Sequence, residues 1–295
     1  MAKFASADKQ AASVIKEMQG NQLKSVGTVR NYEQALTTVA SYAKENRIDG
    51  GLRGMTPEDA KQYLETRGQE VGQKTLDMER QALQAMMQNV TGKLEQGERL
   101  EVVKSEMAQA LESRSYTPEQ VSAIAQSQNE RNGLATELSY AAGLRAHELL
   151  TLQRIDERAP SDRPALDSKF EGRENSQMYT VHGKGGLVRE VRIPNHLAER
   201  LEERRLETPE RVTDRGIHYE TRYDIAGGKN WSNSFSAASE RTLGFSNGAH
   251  GLRHSYAQER MSELAEKGLE RDQALATVSQ EMGHFRPEIT EVYLR

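Results

Sequence analysis

The sequence predicts a mainly α-helical protein of two domains, the second of which also contains a small β-hairpin or sheet. Apolar residues recur at helical spacing along most of the chain, and only the segment around 178–193 alternates as strands do. A polar stretch at 112–116 separates two parts that each contain clear helix signals. The 295 residues suffice for two ordinary domains. We therefore predict a helical domain over residues 1–113 and an α+β domain over residues 114–295.

The first domain is predicted to be entirely helical. Thr56-Pro57-Glu58-Asp59 marks one helix start, because threonine caps a helix, proline fits its first turn and acidic side chains favour its positive end. No part of this domain shows the alternation of a strand. The remaining helices, predicted from apolar periodicity, cover about 7–19, 28–46, 73–90 and 94–113.

The second domain is predicted to combine helices with one hairpin. Thr117-Pro118-Glu119-Gln120 has the form of a capping box and starts its first helix. Residues 178–181 and 187–193 alternate on either side of a glycine-rich turn, which predicts a β-hairpin with Lys184 near its tip. Further helices are predicted over about 129–142, 147–152, 195–206 and from 236 onward.

Two stretches of this domain lack a clear periodic pattern. Residues 156–177 are polar and rich in turn formers, which predicts an exposed insertion without a core pattern. Residues 207–234 favour neither helix nor strand. We make no secondary-structure prediction for them.

Composition excludes several classes of protein. Without cysteine, the chain has no disulfide, thiolate nucleophile or cysteine-based metal site. No apolar run approaches the roughly 18 residues of a membrane span, and the first residues lack an apolar signal region. We therefore expect a cytoplasmic protein with no membrane partner. The net charge of −4 argues mildly against a simple nucleic-acid binder, although a basic cleft can coexist with acidic outer faces.

The last part of the chain concentrates side chains that suit phosphodiester chemistry. Three of the seven histidines, His250, His254 and His284, lie there together with Arg253 and Tyr293. Phosphoryl transfer needs positive charge on the non-bridging oxygens, a nucleophile and a proton donor for the leaving oxygen. Arginine suits the first task because its planar fork binds phosphate and stays charged.

Each of these residues also has an ordinary structural interpretation. An arginine in a Gly-Leu-Arg sequence, such as Arg145 or Arg253, is usually a surface or ion-paired residue, and Lys184 in a glycine-rich turn is usually solvated. Zinc is disfavoured, because His250 and His254 lack the glutamate of an H-E-x-x-H motif. A free phenol has a pKa near ~10, so Tyr293 would need a base or cations nearby to act as a nucleophile.

Together these residues resemble the tyrosine recombinase, or phage-integrase, family over nearly the whole chain. Residues 142–150 (AGLRAHELL) look like its first arginine box, in which Glu148 takes the place of a bracing acid. Residues 181–194 look like its lysine hairpin. Residues 250–254 (HGLRH) are similar to its H-x-L-R-H box, residues 282–284 (MGH) to its Leu-Gly-His, and Tyr293 follows nine residues later, as the family's nucleophile does.

The resemblance implies a site-specific recombinase or integrase. Tyr293 would attack the scissile phosphorus, form a 3′-phosphotyrosyl link and free a 5′ hydroxyl. The link keeps the bond energy, so no ATP, metal or other cofactor is expected. The implied partners are double-stranded DNA at specific sites and further copies of the chain in a homo-tetramer, with a directionality factor left open. The implied catalytic residues are Arg145 and Arg253 on the phosphate oxygens, His284 donating a further hydrogen bond, His250 assisting proton removal and Lys184 protonating the leaving oxygen.

The first domain also resembles the family, but through less specific sequence features. Residues 28–32 and 74–80 look like the family's helical core-binding domain, which implies a DNA-binding role for 1–113 and makes Lys74 and Arg80 candidate DNA contacts. A solvated helix face is the alternative for both. Residues 1–27 are shorter than a typical arm-binding domain, so one class of DNA site per protomer is expected.

The sequence departs from the family pattern in three places, and only the last of them bears on assembly. Residues 156–177 lengthen the segment between the first arginine and the lysine. Met282 replaces the usual leucine with a side chain of similar volume. Only two residues follow Tyr293, where family members usually continue into a tail that docks on a neighbouring protomer.

Two other functions remain open on the sequence alone. A type IB topoisomerase uses a similar set of side chains and would relax supercoiled DNA without site dependence or strand exchange. A non-catalytic DNA-binding protein on the same fold would never form a covalent adduct.

Overall fold

The structure, a computed structural model, describes residues 5–19, 23, 25–108 and 112–295. The chain divides into two compact units, Met1–Ala110 and Leu111–Arg295, each with its own hydrophobic core. Helices predominate, and the β-sheets of the described residues lie in the second unit, which confirms the predicted fold class. Across these described ranges, no helix combines the length and apolarity needed to cross a membrane.

Amphipathic helices build the first unit. The predicted start of its third helix is confirmed as a capping box, in which the Thr56 N–H donates to the Asp59 carboxylate at 2.9 Å and the Asp59 N–H donates to the Thr56 hydroxyl at 3.2 Å. The helices are α1 (Ala7–Met18), α2 (Val26–Glu45), α3 (Pro57–Gly68) and α4 (Gln73–Met86), with a 3₁₀ turn at Gly51–Gly54 and a π-helical turn at Met87–Thr91.

The helix predicted over 94–113 is wrong for the part that the structure describes. After Gly92, whose φ of 65° stops the preceding helix, residues 93–108 form no helix. Leu94 and Leu100 reach the core from this irregular segment, so their burial does not depend on helical spacing. Its backbone is satisfied by side chains instead: the Leu100 N–H donates to Gln84 at 3.1 Å. Residues 109–111 lie outside the described residues.

The second unit combines its helices with two small antiparallel sheets. One sheet has the strand order β1-β2-β3, and β4 pairs with β5 in the other. Val181 lies opposite Arg189 in the β2–β3 pair, which confirms the predicted hairpin. The helices are α5 (Pro118–Gln126), α6 (Glu130–Ala142), α7 (Asn195–Glu202), α8 (Gly228–Leu243), α9 (Gly251–Glu266), α10 (Arg271–Glu281) and α11 (Pro287–Thr290), with 3₁₀ turns at Glu148–Thr151, Lys184–Gly186 and Glu291–Tyr293. The strands are β1 (Gln153–Arg154), β2 (Ser176–His182), β3 (Val188–Pro194), β4 (Arg205–Asp214) and β5 (Ile217–Tyr223).

The β4–β5 hairpin lies where the sequence pattern predicts nothing. Strand β4 has no buried residue, so no alternation of apolar and polar side chains marks it. Strand β5 buries Thr221 and Tyr223 near its end. The hairpin therefore joins the core of the second unit only through the end of β5, where Tyr223 lies.

Two polar segments, the predicted linker at 112–116 and the predicted insertion at 156–177, each bury one aromatic residue. In the predicted linker, Tyr116 is 3% exposed, and its N–H donates to the Ser255 hydroxyl at 2.8 Å. In the predicted insertion, Phe170 is 7% exposed and its N–H donates to Glu281 at 2.9 Å. The insertion is otherwise exposed or half-buried, so the predicted exposure fails only at Phe170, and Tyr116 ties the linker to the core of the second unit.

Candidate active site

The first arginine of the site is held by the turn that follows α6. Gly143 ends the helix with a φ of 58°, and a Cβ there would lie 2.8 Å from the Tyr256 ring, so the tight turn requires glycine. Arg145 follows two residues later. Its backbone N–H donates to one oxygen of Glu148 at 2.8 Å and its guanidinium to the other at 2.7 Å. This bracing fixes the direction of the Arg145 side chain.

Glu148 is a fully buried carboxylate among three guanidinium groups. Arg145 and Arg189 each donate to it at 2.7 Å, and Arg253 lies 4.0 Å away. Burial alone would raise the pKa of Glu148, but the charges of Arg189, Arg145 and Arg253 outweigh burial and hold the pKa well below its usual range. Glu148 therefore stays ionised and neutralises part of the cationic cluster.

Arg189 belongs to this cluster although the sequence motifs do not single it out. It lies on β3, and its buried side chain donates to the Gly143 carbonyl at 3.1 Å and to the Glu281 carbonyl at 2.7 Å. It thus connects the first arginine box with the segment that leads to His284. The signal in the sequence is the strand alternation, which places Arg189 on the same buried face as Val191 and Ile193.

Arg253, in the first turn of α9, is fully buried. It donates to the carbonyls of Gly143 and of Met282, the latter at 3.2 Å, and its Nη2 lies 3.1 Å from Nε2 of His284. Among the described residues, its Nε has no hydrogen-bond partner. Burial and the nearby charge of Arg145 lower the pKa of Arg253 to about 10, so it remains charged at neutral pH.

The candidate nucleophile lies among three imidazole rings. The Tyr293 hydroxyl is 3.1 Å from Nε2 of His250. The centroid of the Tyr293 ring lies 4.8 Å from that of His254 and 5.1 Å from that of His284. The Arg253 guanidinium stands 5.6 Å from the same centroid. The phenol therefore has both a base and a cation next to it.

The hydrogen bonds of His284 define its tautomer in this state. A guanidinium has no acceptor, so Nε2 of His284 accepts from Arg253. The remaining hydrogen is then on Nδ1, which donates to the Thr290 hydroxyl at 2.9 Å. A hydrogen bond from Nε2 to a phosphate therefore requires Arg253 to turn away first and the ring to exchange its proton.

His250 and His284 both favour the neutral form. Partial burial and the charge of Arg253 lower the pKa of His284 to about 3. The same causes lower the pKa of His250, although the exposed part of its ring keeps solvent contact that weakens the effect. A neutral His250 can accept a proton from Tyr293 at neutral pH.

We expect the His284 ring not to titrate between pH 8 and pH 5 in the DNA-free protein. An unfolded histidine binds its proton near pH 6.5, whereas the folded ring binds it only near pH 3. Within that interval the unfolded state holds the extra proton, so stability falls as the pH drops from 6.5 towards 3. NMR of the ring C–H groups, with the protein in denaturant as the control, measures this directly. A native midpoint near 6.5 would contradict the prediction.

The structure brings five of the six predicted catalytic residues together and does not describe the side chain of the sixth. Lys184 lies in the 3₁₀ turn at the tip of the β2–β3 hairpin, but its side chain lies outside the described part of the chain. The grouped residues are Arg145, His250, Arg253, His284 and Tyr293. In the residues that are described, no cluster of three or more histidine or carboxylate side chains suits a metal ion.

The two predicted DNA contacts of the first unit differ in exposure. Lys74 is exposed on α4. The Arg80 side chain is only 15% exposed and reaches towards the Leu100 carbonyl at 3.5 Å and Asp77 at 3.8 Å. Both remain predictions, and Lys74 is the more accessible of the two.

The chain resembles known proteins in its three-dimensional structure. No protein-family model and no curated protein matches the chain. The site-specific recombinase XerH, bound to a palindromic difH substrate after cleavage, matches 98% of this chain and 81% of its own with a TM-score of 0.62 and 16% identity. A lambda integrase dimer bound to a COC′ core site matches with a TM-score of 0.60 and 16% identity, covering 97% of this chain and 94% of its own. A lambda integrase tetramer bound to a Holliday junction matches with a TM-score of 0.59 and 16% identity, covering 99% and 78%.

The chain has the fold of the tyrosine recombinases. The likeness extends over nearly the full length, so it includes both units of the chain. A likeness at 16% identity shows a shared fold and assigns no role to an individual side chain.

Proposed function

We propose that this protein is a site-specific DNA recombinase that cleaves and rejoins DNA through a 3′-phosphotyrosyl intermediate. One observation carries the proposal: the Tyr293 hydroxyl lies 3.1 Å from a neutral His250 and beside the buried, charged Arg253. A nucleophile, its base and a phosphate-binding cation thus share one site. The tyrosine-recombinase fold supports the same reaction class.

The reaction proposed for this site forms one bond and breaks another at phosphorus. The Tyr293 oxygen attacks the scissile phosphorus as its proton passes to His250, and the bond to the 5′ oxygen breaks. We assign protonation of that leaving oxygen to Lys184. A 5′ hydroxyl of a partner strand later attacks the phosphotyrosine, releases Tyr293 and reseals the DNA, so the chemistry requires neither ATP nor a metal.

Arg145 and Arg253 are proposed to hold the non-bridging oxygens. Arg253 makes hydrogen bonds to two carbonyls and His284 without DNA, and a phosphate oxygen is the stronger acceptor for a guanidinium. Transfer of its Nη2 to the phosphate would release Nε2 of His284. His284 would then take up its own hydrogen bond to the phosphate after exchanging its ring proton. DNA binding and completion of the site are therefore coupled in this proposal.

The assembly is proposed by analogy with the solved complexes. Lambda integrase forms a tetramer on a Holliday junction, and four copies of this chain are proposed to hold two duplexes in the same way. The first unit would grip the duplex, with Lys74 and Arg80 as candidate phosphate contacts. Affinity should then fall steeply with salt, because each neutralised phosphate releases counterions.

Strand exchange tests the proposed function. The wild-type protein is incubated with fragmented DNA from its genetic neighbourhood and denatured, and the ends of protein-linked fragments identify the site. Two DNA molecules with that site are then incubated with the protein in a metal chelator. We expect recombinant joints and an adduct at each 3′ end.

Two results of this test would overturn the proposal in different ways. Relaxation of any supercoiled plasmid, without site dependence or exchange, would identify a topoisomerase. Binding to the fragments without any adduct would identify a non-catalytic DNA-binding protein.

A further inference from the structure

Phe285, which directly follows His284, combines exposure with an unfavourable backbone. Its side chain is 40% exposed and it belongs to none of the hydrophobic clusters of the described residues. Its φ is +53°, a left-handed conformation that bulky residues rarely adopt. An exposed aromatic residue alone is ordinary, but backbone strain of this kind collects at functional sites. Phe285 is thus an exposed aromatic residue with an unfavourable backbone, next in sequence to a residue of the candidate active site.

Arg163 lies over the face of the Phe285 ring. The guanidinium carbon is 5.7 Å from the ring centroid, within the range of a cation–π contact. Arg163 is exposed, and among the described residues it forms no ion pair, so its charge remains available to a ligand. It comes from the 156–177 segment, which thereby reaches the residue next to His284.

A cavity of about 340 Å³ opens beside this pair. Leu187, Lys169 and Gln280 line it together with Phe285 and Arg163. The lining also includes two carboxylates, Asp162 and Glu190, and Glu190 pairs with Lys169 at 2.5 Å. Leu187 lies between the turn of Lys184 and strand β3, so the cavity borders the lysine hairpin on one side and the His284 segment on the other. Both borders carry residues that the proposed reaction uses.

We propose that Phe285 and Arg163 form a stacking site for an unpaired nucleobase of the DNA strand at the candidate active site. A base offers a flat π-face to the ring, and the phosphate next to it offers a negative charge to the guanidinium. Stacking on aromatic and arginine planes is the general way in which proteins hold unpaired bases. The choice of DNA as the ligand of this stacking site rests on the proposed function, in which DNA is the substrate.

Single-stranded DNA with and without bases tests the stacking site. The probes are a fluorescently labelled dT 12-mer and an abasic 12-mer with the same number of phosphates, and fluorescence anisotropy measures their affinity. We expect the wild-type protein to bind the dT strand about 5- to 150-fold more tightly, which is the contribution of one stacked base. Phe285→Asn should remove this preference without harming the fold, because asparagine tolerates a positive φ. Phe285→Tyr should retain it.

The chain offers a matched control in Phe245. Its side chain is also 40% exposed, but its ring stacks on Tyr116 with a centroid distance of 6.2 Å. Phe245→Asn should leave the preference for the dT strand unchanged. Equal binding of both strands by the wild type, or a preference that survives in Phe285→Asn, would overturn the stacking site.

The result is separable from that of the proposed function, because binding of these probes needs no cleavage. If the wild type forms a phosphotyrosyl adduct but binds both strands equally, only the stacking site is wrong. If it prefers the dT strand but never forms an adduct, the recombinase proposal fails and the base-binding site stands.

Discussion

Covalent attachment to DNA should disappear in Tyr293→Phe, while non-covalent binding to the same fragments should stay within about twofold of the wild type. Phenylalanine lacks the oxygen that attacks phosphorus but keeps the ring that packs against His250, His254 and His284. The lost hydrogen bond to His250 should lower stability by about 0.5–1.5 kcal/mol, which leaves the protein folded. Adducts are counted on denaturing gels, and binding is measured by gel shift.

Tyr219→Phe is the matched control for this substitution. Tyr219 lies on β5 and none of its described contacts involves Tyr293, so its variant should form adducts at the wild-type rate. Adducts that persist in Tyr293→Phe would show that another residue is the nucleophile. Loss of both adducts and binding would point instead to a structural role for the hydroxyl.

Most of the fold was predictable because its signals are local. Thr56 and Thr117 each form the capping box that their sequences indicate, and the alternation around Lys184 does form a hairpin. The failures come from tertiary contacts that override local pattern. Leu94 and Leu100 enter the core from an irregular segment, and strand β4 pairs without any apolar face.

The sequence predicts which residues belong to the candidate site but not which of them contact one another. The family resemblance predicts Arg145, Arg253 and Tyr293 as site residues, whereas Arg189 shows only as one charged residue in an alternating strand. Its partnership with Glu148 depends on a contact across 41 positions of the chain, which no local pattern contains. The acceptor role of Nε2 in His284 likewise follows from the position of Arg253 and not from the motif.

Glu148→Gln should be the most damaging single substitution outside the nucleophile. The amide keeps the shape of the carboxylate but leaves three guanidinium groups without their buried counter-charge. Breaking a buried ion pair in this way costs about 3–5 kcal/mol, which lowers Tm by roughly 6–20 °C for a domain of this size. Arg145 also loses its brace, so adduct formation should fall even below the unfolding temperature. Differential scanning calorimetry and adduct assays at 20 °C below Tm separate the two effects.

A control substitution at Glu202 and the pH dependence of stability show whether Glu148 acts through its charge or through packing. Glu202 lies away from the site, and its contacts are Tyr179, Tyr223 and a partly exposed Arg154. Glu202→Gln should therefore cost only about 0–1 kcal/mol.

Because the pKa of Glu148 is lowered in the folded state, its stabilisation is fully present above the unfolded value near ~4.3 and is lost as the pH falls towards the folded value. The difference in stability between wild type and Glu148→Gln should thus be constant from pH 8 to 5 and shrink below pH ~4. A difference that persists unchanged at pH 3 would mean that Glu148 acts through packing and not through its charge.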